Sequence, residues 1–390
     1  MEYIAKNIPL WKVTTWDKKF NNIDKGWQPK TIKYKYLLSD ELDSLRVEDG
    51  DVKILYTGKT IGYTTKELAG ENISDGEIVA IPWGGIPTVK YHKGMFVTGD
   101  NRIATSNDTT QLSNKYLYYF MKGNIQEIAT YYRGASLKHP CMKDILKMTI
   151  SYPSIQEQQI ICSRFDVLEK IIEKRNQELE LLDDFIKARF VELFGDPKVN
   201  PKGYSKKQLK ETCRVITGNT PSRAVGEYYG DHIEWIKTDN IVSGLLNPTT
   251  ATESLSEKGM AVSRTVESGA ILMACIAGSI ASIGRVCVTD RKVAFNQQIN
   301  AIVPSDYNIL FLYVMLQISK EYLVDEINMA LKGILSKSKL EEKTFYVPPM
   351  ELQEQFAAFV TQVDKLKLQV QKSLDETQLL FDSLMQQYFG

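Results

Sequence analysis

The sequence predicts an α+β fold in which two globular mixed α/β domains are separated by a pair of long antiparallel helices, with an internal pseudo-twofold repeat. Two observations lead to this prediction. Residues 153–195 and 349–390 are periodic runs that open with a Pro- and Gln-containing segment, lack further Pro or internal Gly, and end in Phe-Gly. The stretch before each run shows similar features in the same order, as expected for a duplicated chain.

This division gives five segments. The stretch Asp-Pro-Lys-Val-Asn-Pro-Lys-Gly at 196–203 is rich in turn formers and predicts a linker. The predicted segments are a first globular domain (1–152), a central long helix (153–195), the linker (196–203), a second globular domain (204–348) and a C-terminal long helix (349–390).

The first domain begins with short β-rich runs separated by Gly, Asp and Asn. A helix over 112–121 and a strand over 148–152 follow, and this order recurs in the second domain. Offsets between matched segments stay between about 180 and 200 residues, which favours duplication over chance. The matched segments are 53–60 with 234–241, 75–81 with 268–274, 95–101 with 293–299, and 133–138 with 332–337.

The two long runs have alternating apolar spacings of four and three residues, a pattern typical of a coiled-coil seam. The predicted seam positions are Ile161, Phe165, Leu168, Ile172, Arg175, Leu179, Leu182, Ile186, Arg189 and Leu193 in the first run and Leu352, Phe356, Phe359, Val363, Leu366, Val370, Ser373, Thr377, Leu380 and Leu384 in the second. Antiparallel pairing would bring Arg175 close to Ser373 and Thr377. The alternative is two independent amphipathic helices, each covering its own domain.

The length of these runs has a physical consequence. About 35 helical residues span roughly 50 Å, which is about one and a half turns of duplex DNA. A paired helix of that length would hold two domains at a fixed separation.

The composition is ordinary for a soluble protein of 390 residues, with 43% hydrophobic and 25% charged residues. The formal net charge is zero, so nucleic-acid binding would require cations concentrated on one face. The chain has no apolar run of eighteen residues and no signal-peptide pattern at its N-terminus, so we expect no membrane span. Five scattered cysteines without a CxxC pair indicate reduced thiols in the cytoplasm, and three distant histidines add no metal site.

Catalytic motifs are missing from the sequence. Thr57-Gly58-Lys59-Thr60 resembles the end of a P-loop, but Lys53 stands where the first Gly should be. We find no Asn-Pro-Pro-Tyr or Asp-Pro-Pro-Tyr, no GxGxxG opening a helix, and no convincing nuclease or nucleophile–base pattern. The sequence therefore predicts a binding and scaffolding protein that is not an enzyme by itself, with no catalytic residues, metal or cofactor of its own.

Several short motifs in the second half occur in a defined order: Thr-Gly-Asn-Thr-Pro-Ser at 217–222, Trp-Ile-Lys-Thr-Asp-Asn-Ile at 235–241 and Phe-Asn-Gln-Gln at 295–298. With the openings and Phe-Gly endings of both long runs, they make the chain resemble the specificity (S) subunits of type I restriction–modification systems. The first half lacks a Thr-Gly-x-Thr-Pro segment and has Asn-Asn-Ile-Asp-Lys-Gly at 21–26 near that place.

The resemblance implies a non-catalytic DNA-binding subunit of a bacterial defence complex, a type I site-specific deoxyribonuclease and adenine DNA methyltransferase. Its two target-recognition domains would each read one half of a bipartite, asymmetric site in double-stranded DNA, and the helices would set the spacer. Two methyltransferase (M) subunits would dock on the helices, and restriction/translocase (R) subunits would complete the complex. S-adenosylmethionine, ATP and magnesium would belong to those partners.

The residue types suited to base recognition cluster in a few predicted loops. Arg or Lys suits guanine, Asn or Gln suits adenine, and acids suit cytosine. Candidate base-reading residues are Asn101, Arg102, Arg133, Lys138, His139, Lys237, Asp239, Asn240, Gln297 and Gln298, and the Thr-Gly-Asn-Thr-Pro-Ser motif adds Thr220 and Ser222. Candidate phosphate contacts, which position without specifying, are Lys59, Arg223, Lys332, Lys337 and Lys339, with Ser279 a candidate for either role. The alternative for each residue is an ordinary solvated surface position.

Two other functions remain open from the residues alone. The chain could be a structural coiled-coil adaptor with two protein-binding lobes, in which case it would lack site-specific DNA affinity even with a methyltransferase partner. It could also be a DNA-modifying enzyme with an unrecognised catalytic domain, in which case it would methylate or cut DNA without any partner.

Overall fold

The structure is a computed structural model that describes residues 3–17, 32, 34–325, 327 and 333–390. The chain divides into two compact units. Unit 1 comprises residues 1–173 and 374–390, and unit 2 comprises residues 174–373. Each unit therefore combines one globular part with portions of both long helices.

Unit 1 is a mixed α/β structure. Its strands are β1 (Ala5–Pro9), β2 (Thr14–Trp16), β3 (Val52–Leu55), β4 (Ile61–Thr64), β5 (Ser74–Pro82), β6 (Lys90–Thr98), β7 (Asn101–Ser106), β8 (Tyr132–Arg133), β9 (His139–Pro140) and β10 (Thr149–Tyr152). Its helices are α1 (Leu10–Val13), α2 (Ser39–Ser44), α3 (Lys66–Ala69), α4 (Asn114–Gly123), α5 (Ile125–Thr130), α6 (Met142–Lys147) and the first part of α7 (Ile155–Phe194), with a 3₁₀ turn at Gly70–Asn72. Within the described residues, the main sheet has the strand order β2-β7-β5-β6-β3-β4.

Unit 2 is also a mixed α/β structure. Its strands are β11 (Lys206–Gln208), β12 (Cys213–Thr217), β13 (Tyr229–Gly230), β14 (Ile233–Ile236), β15 (Ser254–Leu255), β16 (Thr265–Val266), β17 (Ile271–Ala274), β18 (Ile276–Ala277), β19 (Val286–Val288), β20 (Val293–Phe295), β21 (Ile299–Pro304), β22 (Gly333–Ile334) and β23 (Thr344–Tyr346). Its helices are α8 (Leu209–Thr212), α9 (Glu257–Ala261), α10 (Ile309–Ile318), α11 (Lys320–Val324), α12 (Lys337–Glu342) and most of α13 (Met350–Phe389), with 3₁₀ turns at Gly226–Tyr228, Thr238–Asn240 and Ile280–Ser282.

The strand pairings confirm the internal repeat. In unit 1, β3 pairs with β6 in parallel, while β7 pairs with β2 and β5 in antiparallel fashion. In unit 2, β14 pairs with β20 in parallel, while β21 pairs with β12 and β17 in antiparallel fashion. The first and last strands of each globular part also pair, β1 with β10 and β11 with β23. The two halves therefore share these strand pairings, although unit 1 has one six-stranded sheet where unit 2 has a four-stranded and a five-stranded sheet.

The two long helices run antiparallel, as the sequence predicts. In unit 1, Phe165 of α7 packs against Phe381 and Phe389 of α13, with ring centroids 5.3 and 5.8 Å apart. In unit 2, Phe190 near the end of α7 packs against Phe356 near the start of α13, at 5.4 Å. Burying each such ring contributes about 1.5–3 kcal/mol, so the helix ends are held by the hydrophobic core of each unit.

The predicted seam is correct only in part. Ile161, Phe165 and Leu168 are buried as predicted, but Arg189 lies at the surface, where it pairs with Glu192 at 2.7 Å. Leu366 and Leu380 are half-exposed or more, at 51% and 50%. The buried positions towards the helix ends include Ile186 and Phe356, which lie on the predicted seam, and also Phe190, Phe194, Val360, Phe381, Met385 and Phe389, which do not. A strict heptad fails there because the helix ends contact a globular core, which needs a wider apolar face than a two-helix seam.

A fully buried glutamine explains the opening motif of each helix. The Gln158 amide accepts a hydrogen bond from the backbone N–H of Ser113 at 2.9 Å and donates to the Pro153 carbonyl at 2.9 Å. The Gln353 amide accepts from the N–H of Asn308 at 2.9 Å and donates to the Pro348 carbonyl at 2.8 Å. Ser113 and Asn308 are the N-caps of α4 and α10, so each glutamine ties a domain helix to a long helix.

Lys367 ties the long helices to the globular part of unit 2. Its ammonium group donates to the Asp183 carboxylate at 2.6 Å and to the Gly244 carbonyl at 2.8 Å. The side chain is 13% exposed, so the pair is shielded from the solvent that weakens surface ion pairs. Nearby, burial and then the charge of Asp183 raise the pKa of Asp364, while Lys367 lowers it.

Candidate nucleic-acid interface

Three sequence motifs of the second half meet at one edge of unit 2: the first at 217–222, the second at 235–241 and the third at 295–298. The second motif begins within β14, and the third begins at the last residue of β20. These two strands pair in parallel, with Ile236 opposite Phe295. The backbone N–H of Asn296 donates to the Ile236 carbonyl at 3.0 Å. From the first motif, the N–H of Asn219 donates to the Phe295 carbonyl at 3.1 Å. The fold therefore brings together segments that are up to about 80 residues apart in the chain.

The first motif needs glycine because the chain approaches another backbone closely. A Cβ atom at Gly218 would lie 2.1 Å from the Asn296 carbonyl oxygen and 2.4 Å from that of Phe295. The N–H of Gly218 donates to the Ile299 carbonyl at 3.0 Å. Gly218 therefore lets the loop carrying Thr220 and Ser222 lie against the third motif.

These loops present polar side chains to solvent. Thr220, Ser222, Asp239 and Gln297 are exposed, and Gln298 is half-buried. The Thr220 hydroxyl donates to the Gln297 side-chain carbonyl, which leaves the Gln297 NH₂ group able to donate elsewhere. The Gln298 side-chain carbonyl accepts from the Asn296 NH₂ group at 3.1 Å. This edge therefore offers hydroxyl, amide and carboxylate groups in one place.

Next to them, two cations lie over aromatic rings. The guanidinium of Arg223 is 4.4 Å from the ring centroid of Tyr229 and 5.3 Å from that of Trp235. The Lys237 ammonium lies 5.2 Å from the Trp235 ring. One carboxylate oxygen of Glu253 accepts from both, at 2.7 and 3.0 Å. Glu253 did not stand out in the sequence, because it follows an unremarkable Thr/Ala-containing loop and its partners are 16 and 30 residues away.

Asn240 does not face the solvent, so its assignment to base recognition is corrected. It is 9% exposed, and its side-chain carbonyl accepts from the backbone N–H of Lys237 at 3.0 Å. Its NH₂ group donates to the Thr249 hydroxyl at 3.2 Å and the Thr250 carbonyl at 3.1 Å. With its donors and acceptor satisfied internally, Asn240 shapes the loop that carries Lys237 and Asp239.

A second group of candidates adjoins this edge through the backbone. The N–H of Cys275 donates to the Gln298 carbonyl at 2.8 Å, and the N–H of Leu335 donates to the Cys275 carbonyl at 2.8 Å. Ser279, Lys337 and Lys339 are exposed on the segments that continue from these contacts. Lys332 lies outside the described residues.

In unit 1, Asn101 and Arg102 are buried, which corrects their assignment to base recognition. The Asn101 side chain donates to the Leu55 carbonyl at 2.9 Å. The guanidinium of Arg102 is 2% exposed and donates to the carboxylates of Asp17 at 3.2 Å and Asp100 at 2.5 Å. Separating a buried guanidinium from its carboxylates leaves uncompensated charge, which costs several kcal/mol. Both residues therefore hold the sheet of unit 1 together.

The remaining unit 1 candidates are accessible. Lys59, Arg133 and Lys138 are exposed, and His139 is half-buried with its Nδ1 atom 2.7 Å from the Trp83 carbonyl oxygen. Arg133 pairs with Asp144 at 2.6 Å. The loop before β9 meets the loop after β5, since the N–H of Gly85 donates to the Lys138 carbonyl at 3.1 Å. Ile86 and Leu137, at 77% and 55% exposure, are large apolar side chains on these loops that sequence reasoning missed.

Replacing Gly218 with Ala is expected to disrupt the edge of unit 2. The added Cβ would overlap backbone oxygen atoms that cannot rotate away, so we expect a loss of about 1–3 kcal/mol in the free energy of unfolding. Urea denaturation measures this loss. Gly226→Ala is the matched control, because nothing lies within 4 Å of its built Cβ, and we expect a change within about 0.5 kcal/mol. Equal stability of the two variants would contradict the close approach.

The structure gives no sign of a metal centre or a membrane span in the part of the chain that it describes. Among these residues, no group of three or more His, Cys, Asp or Glu side chains is arranged to hold a metal ion. None of the described helices is both long and apolar enough to cross a membrane. All five cysteines are free thiols, and burial raises the pKa of Cys162, Cys213, Cys275 and Cys287 to about 12.

Comparison with known proteins gives a consistent result. The chain is 32% identical over 120 residues to the type I restriction enzyme HindI specificity subunit of Haemophilus influenzae, a match covering 30% of this chain and 25% of that protein. It is 27% identical over 172 residues to the type I restriction enzyme MjaIX specificity subunit of Methanocaldococcus jannaschii, covering 43% and 39%. The matched stretches thus span well under half the length of these curated relatives.

A solved structure extends the likeness of fold to nearly the whole chain. The crystal structure of a type I restriction–modification system S subunit from M. genitalium matches with a TM-score of 0.61 and 16% identity, covering 99% of this chain and 96% of that one. The family model described as the type I restriction modification DNA specificity domain matches residues 31–181 and again residues 201–377. Because this model matches each half of the repeat in turn, the chain belongs to the family of type I restriction–modification specificity (S) subunits.

Proposed function

We propose that the chain is the DNA specificity subunit of a type I restriction–modification complex, acting in the cytoplasm and not catalytic by itself. Two recognition domains, residues 1–152 and 204–348, would each read one half of a bipartite, asymmetric site in double-stranded DNA. The observation that carries this proposal is the edge of unit 2, where backbone hydrogen bonds join three motifs distant in sequence and the exposed Thr220 and Gln297 contact each other. The duplicated topology supports a second reading domain in unit 1.

The side chains that face solvent are assigned roles by their chemistry. Amides and carboxylates suit base edges, and cations suit either guanine or phosphate. We propose base contacts for Arg133, Lys138, His139, Thr220, Ser222, Lys237, Asp239, Gln297 and Gln298, and phosphate contacts for Lys59, Arg223, Ser279, Lys337 and Lys339. Lys332 keeps its assignment as a phosphate contact from sequence alone.

Two methyltransferase subunits would dock on the long helices, and restriction/translocase subunits would join that core. Several of the helix acids are already paired within the chain: Glu169 with Lys122, Asp183 with Lys367, and Asp184 with Lys187 at 3.0 Å. Exposed apolar side chains are better candidates for a protein partner. These are Ile160, Val167, Leu181, Leu368 and Leu379, each more than half exposed. S-adenosylmethionine, ATP and magnesium would be bound by the partners.

Mapping of methylated adenines tests this function directly. The chain is co-expressed with the methyltransferase subunit of the same genome in a host free of adenine methylation, and the DNA is read by single-molecule sequencing. We expect methylation at one bipartite site with an unspecified spacer, and none when the chain is omitted. Methylation that persists without the chain would contradict the proposal. DNA methylation or cleavage by the purified chain alone would instead favour an enzyme.

A further inference from the structure

The carboxylate of Glu253 holds two cations of the proposed DNA-binding edge at once. Its Oε2 atom accepts from Arg223 at 2.7 Å and from Lys237 at 3.0 Å. Both cations also lie over the ring of Trp235. Two positive charges that would otherwise repel are thereby kept side by side by one negative charge.

The surface beneath these charges is fixed. Trp235 is 3% exposed, and its indole N–H donates to the Asn219 carbonyl at 3.3 Å. The hydroxyl of Tyr229 donates to the Pro221 carbonyl at 2.8 Å. Both side chains are thus hydrogen-bonded to the first motif, so the aromatic surface under the two cations is held in place. Their side chains stay accessible, with 56% of Arg223 and 29% of Lys237 exposed.

The cluster stays charged at neutral pH. Hydrogen bonds from Arg223 and then from Lys237 lower the pKa of Glu253, so the carboxylate is ionised there. The cluster consequently has a net charge of plus one instead of plus two. Since phosphate contacts by Lys and Arg supply most sequence-independent DNA affinity, a neutralising carboxylate at this place reduces binding to DNA of any sequence.

We propose, on the basis of the DNA-binding function above, that Glu253 is a specificity-determining residue that masks Arg223 and Lys237 on non-target DNA. On the target, a base edge binds Lys237 and a phosphate binds Arg223 at the same time. Both cations therefore exchange the carboxylate for an acceptor on the DNA. Out of register, DNA offers a partner to only one of the two cations, so the cost of separating the carboxylate from both is not compensated and the cations stay paired with Glu253. A cost that only the correct partner offsets is a general source of specificity.

The test compares Glu253→Gln with the wild-type chain, both bound to the methyltransferase subunits, on a mixed-sequence duplex and on a duplex carrying the mapped target. Each phosphate contact steepens the dependence of log affinity on log salt by about 0.9. We expect the variant's slope on mixed-sequence DNA to be steeper by about 1 to 2. When the salt concentration is lowered from roughly 200 to 50 mM, the affinity of the variant relative to that of the wild type should rise about threefold for each freed cation. Its preference for the target should fall accordingly.

Glu321→Gln is the matched control, because it makes the same change of charge at a carboxylate that pairs with Lys198 at 2.7 Å, remote from the three motifs in the chain. Equal salt slopes for Glu253→Gln and Glu321→Gln would overturn the masking role. If Glu253→Gln fails to fold, Glu253→Met, which keeps an aliphatic stem of similar length, takes its place with the same expectation. A wild-type complex without any preference for the target would instead contradict the proposed function itself.

Discussion

Exchanging residues 1–152 for the corresponding segment of a specificity subunit with another target is expected to change one half of the methylated site and leave the other half unchanged. The segment is closed on itself, because β1 and β10 pair with Ala5 opposite Tyr152. Its two ends therefore lie close together, as in segments that tolerate replacement. Methylation mapping of the chimera gives the result directly.

The junction with α7 decides whether the chimera folds. The donor segment must offer a backbone N–H and a carbonyl to the buried Gln158, as Ser113 and Gln111 do here. It must also present tyrosines or apolar groups to Phe165, in place of Tyr119 at 4.9 Å. The reciprocal exchange of residues 204–348 is the control, and we expect it to change the opposite half-site. A chimera in which both half-sites change together would contradict modular recognition.

The repeated fold could be predicted because it depends on local patterns. The strand-forming runs and the Ser113 N-cap of α4 are each encoded by a few neighbouring residues. The matched segments follow the same order in both halves of the chain. The equivalence of Leu55 with Ile236 is confirmed, since both carbonyls accept a hydrogen bond from the residue after the parallel partner strand, Gly99 or Asn296, at 3.0 Å. The sequence comparison aligned the partner strands β6 and β20 one residue away from the alignment that the structure shows. The connection after β6 is shorter than that after β20, which accounts for this difference.

The burial of individual polar residues could not be predicted. Arg102 looked like a base-reading residue because arginine in a Gly/Asp/Asn loop is usually exposed. Its carboxylate partner Asp17 lies 85 residues away in the chain, and nothing local to Arg102 signals that pair. The same holds for Glu253, whose importance appears only once the fold brings Arg223 and Lys237 to it. Long-range polar pairs carry no periodicity that a sequence could reveal.

Removing one heptad from each long helix is expected to shorten the spacer of the recognised site and leave both half-sites unchanged. Residues 172–178 of α7 and 371–377 of α13 suit this change, because neither range contains a buried side chain. The aromatic contacts that hold the helix ends lie outside both ranges. Seven residues shorten a helix by about 10 Å, the rise of about three base pairs.

Deleting the heptad from only one helix is the control for this experiment. The antiparallel contacts of Phe165 with Phe381 and of Phe190 with Phe356 could then no longer both form without a slip, so we expect a lower melting temperature and loss of methylation. In the double deletion, three base pairs also turn the duplex by about 100°, so binding should weaken. The spacer is therefore measured from the methylated sites rather than from affinity. An unchanged spacer in a folded double deletion would show that the helices hold the domains without setting the distance between half-sites.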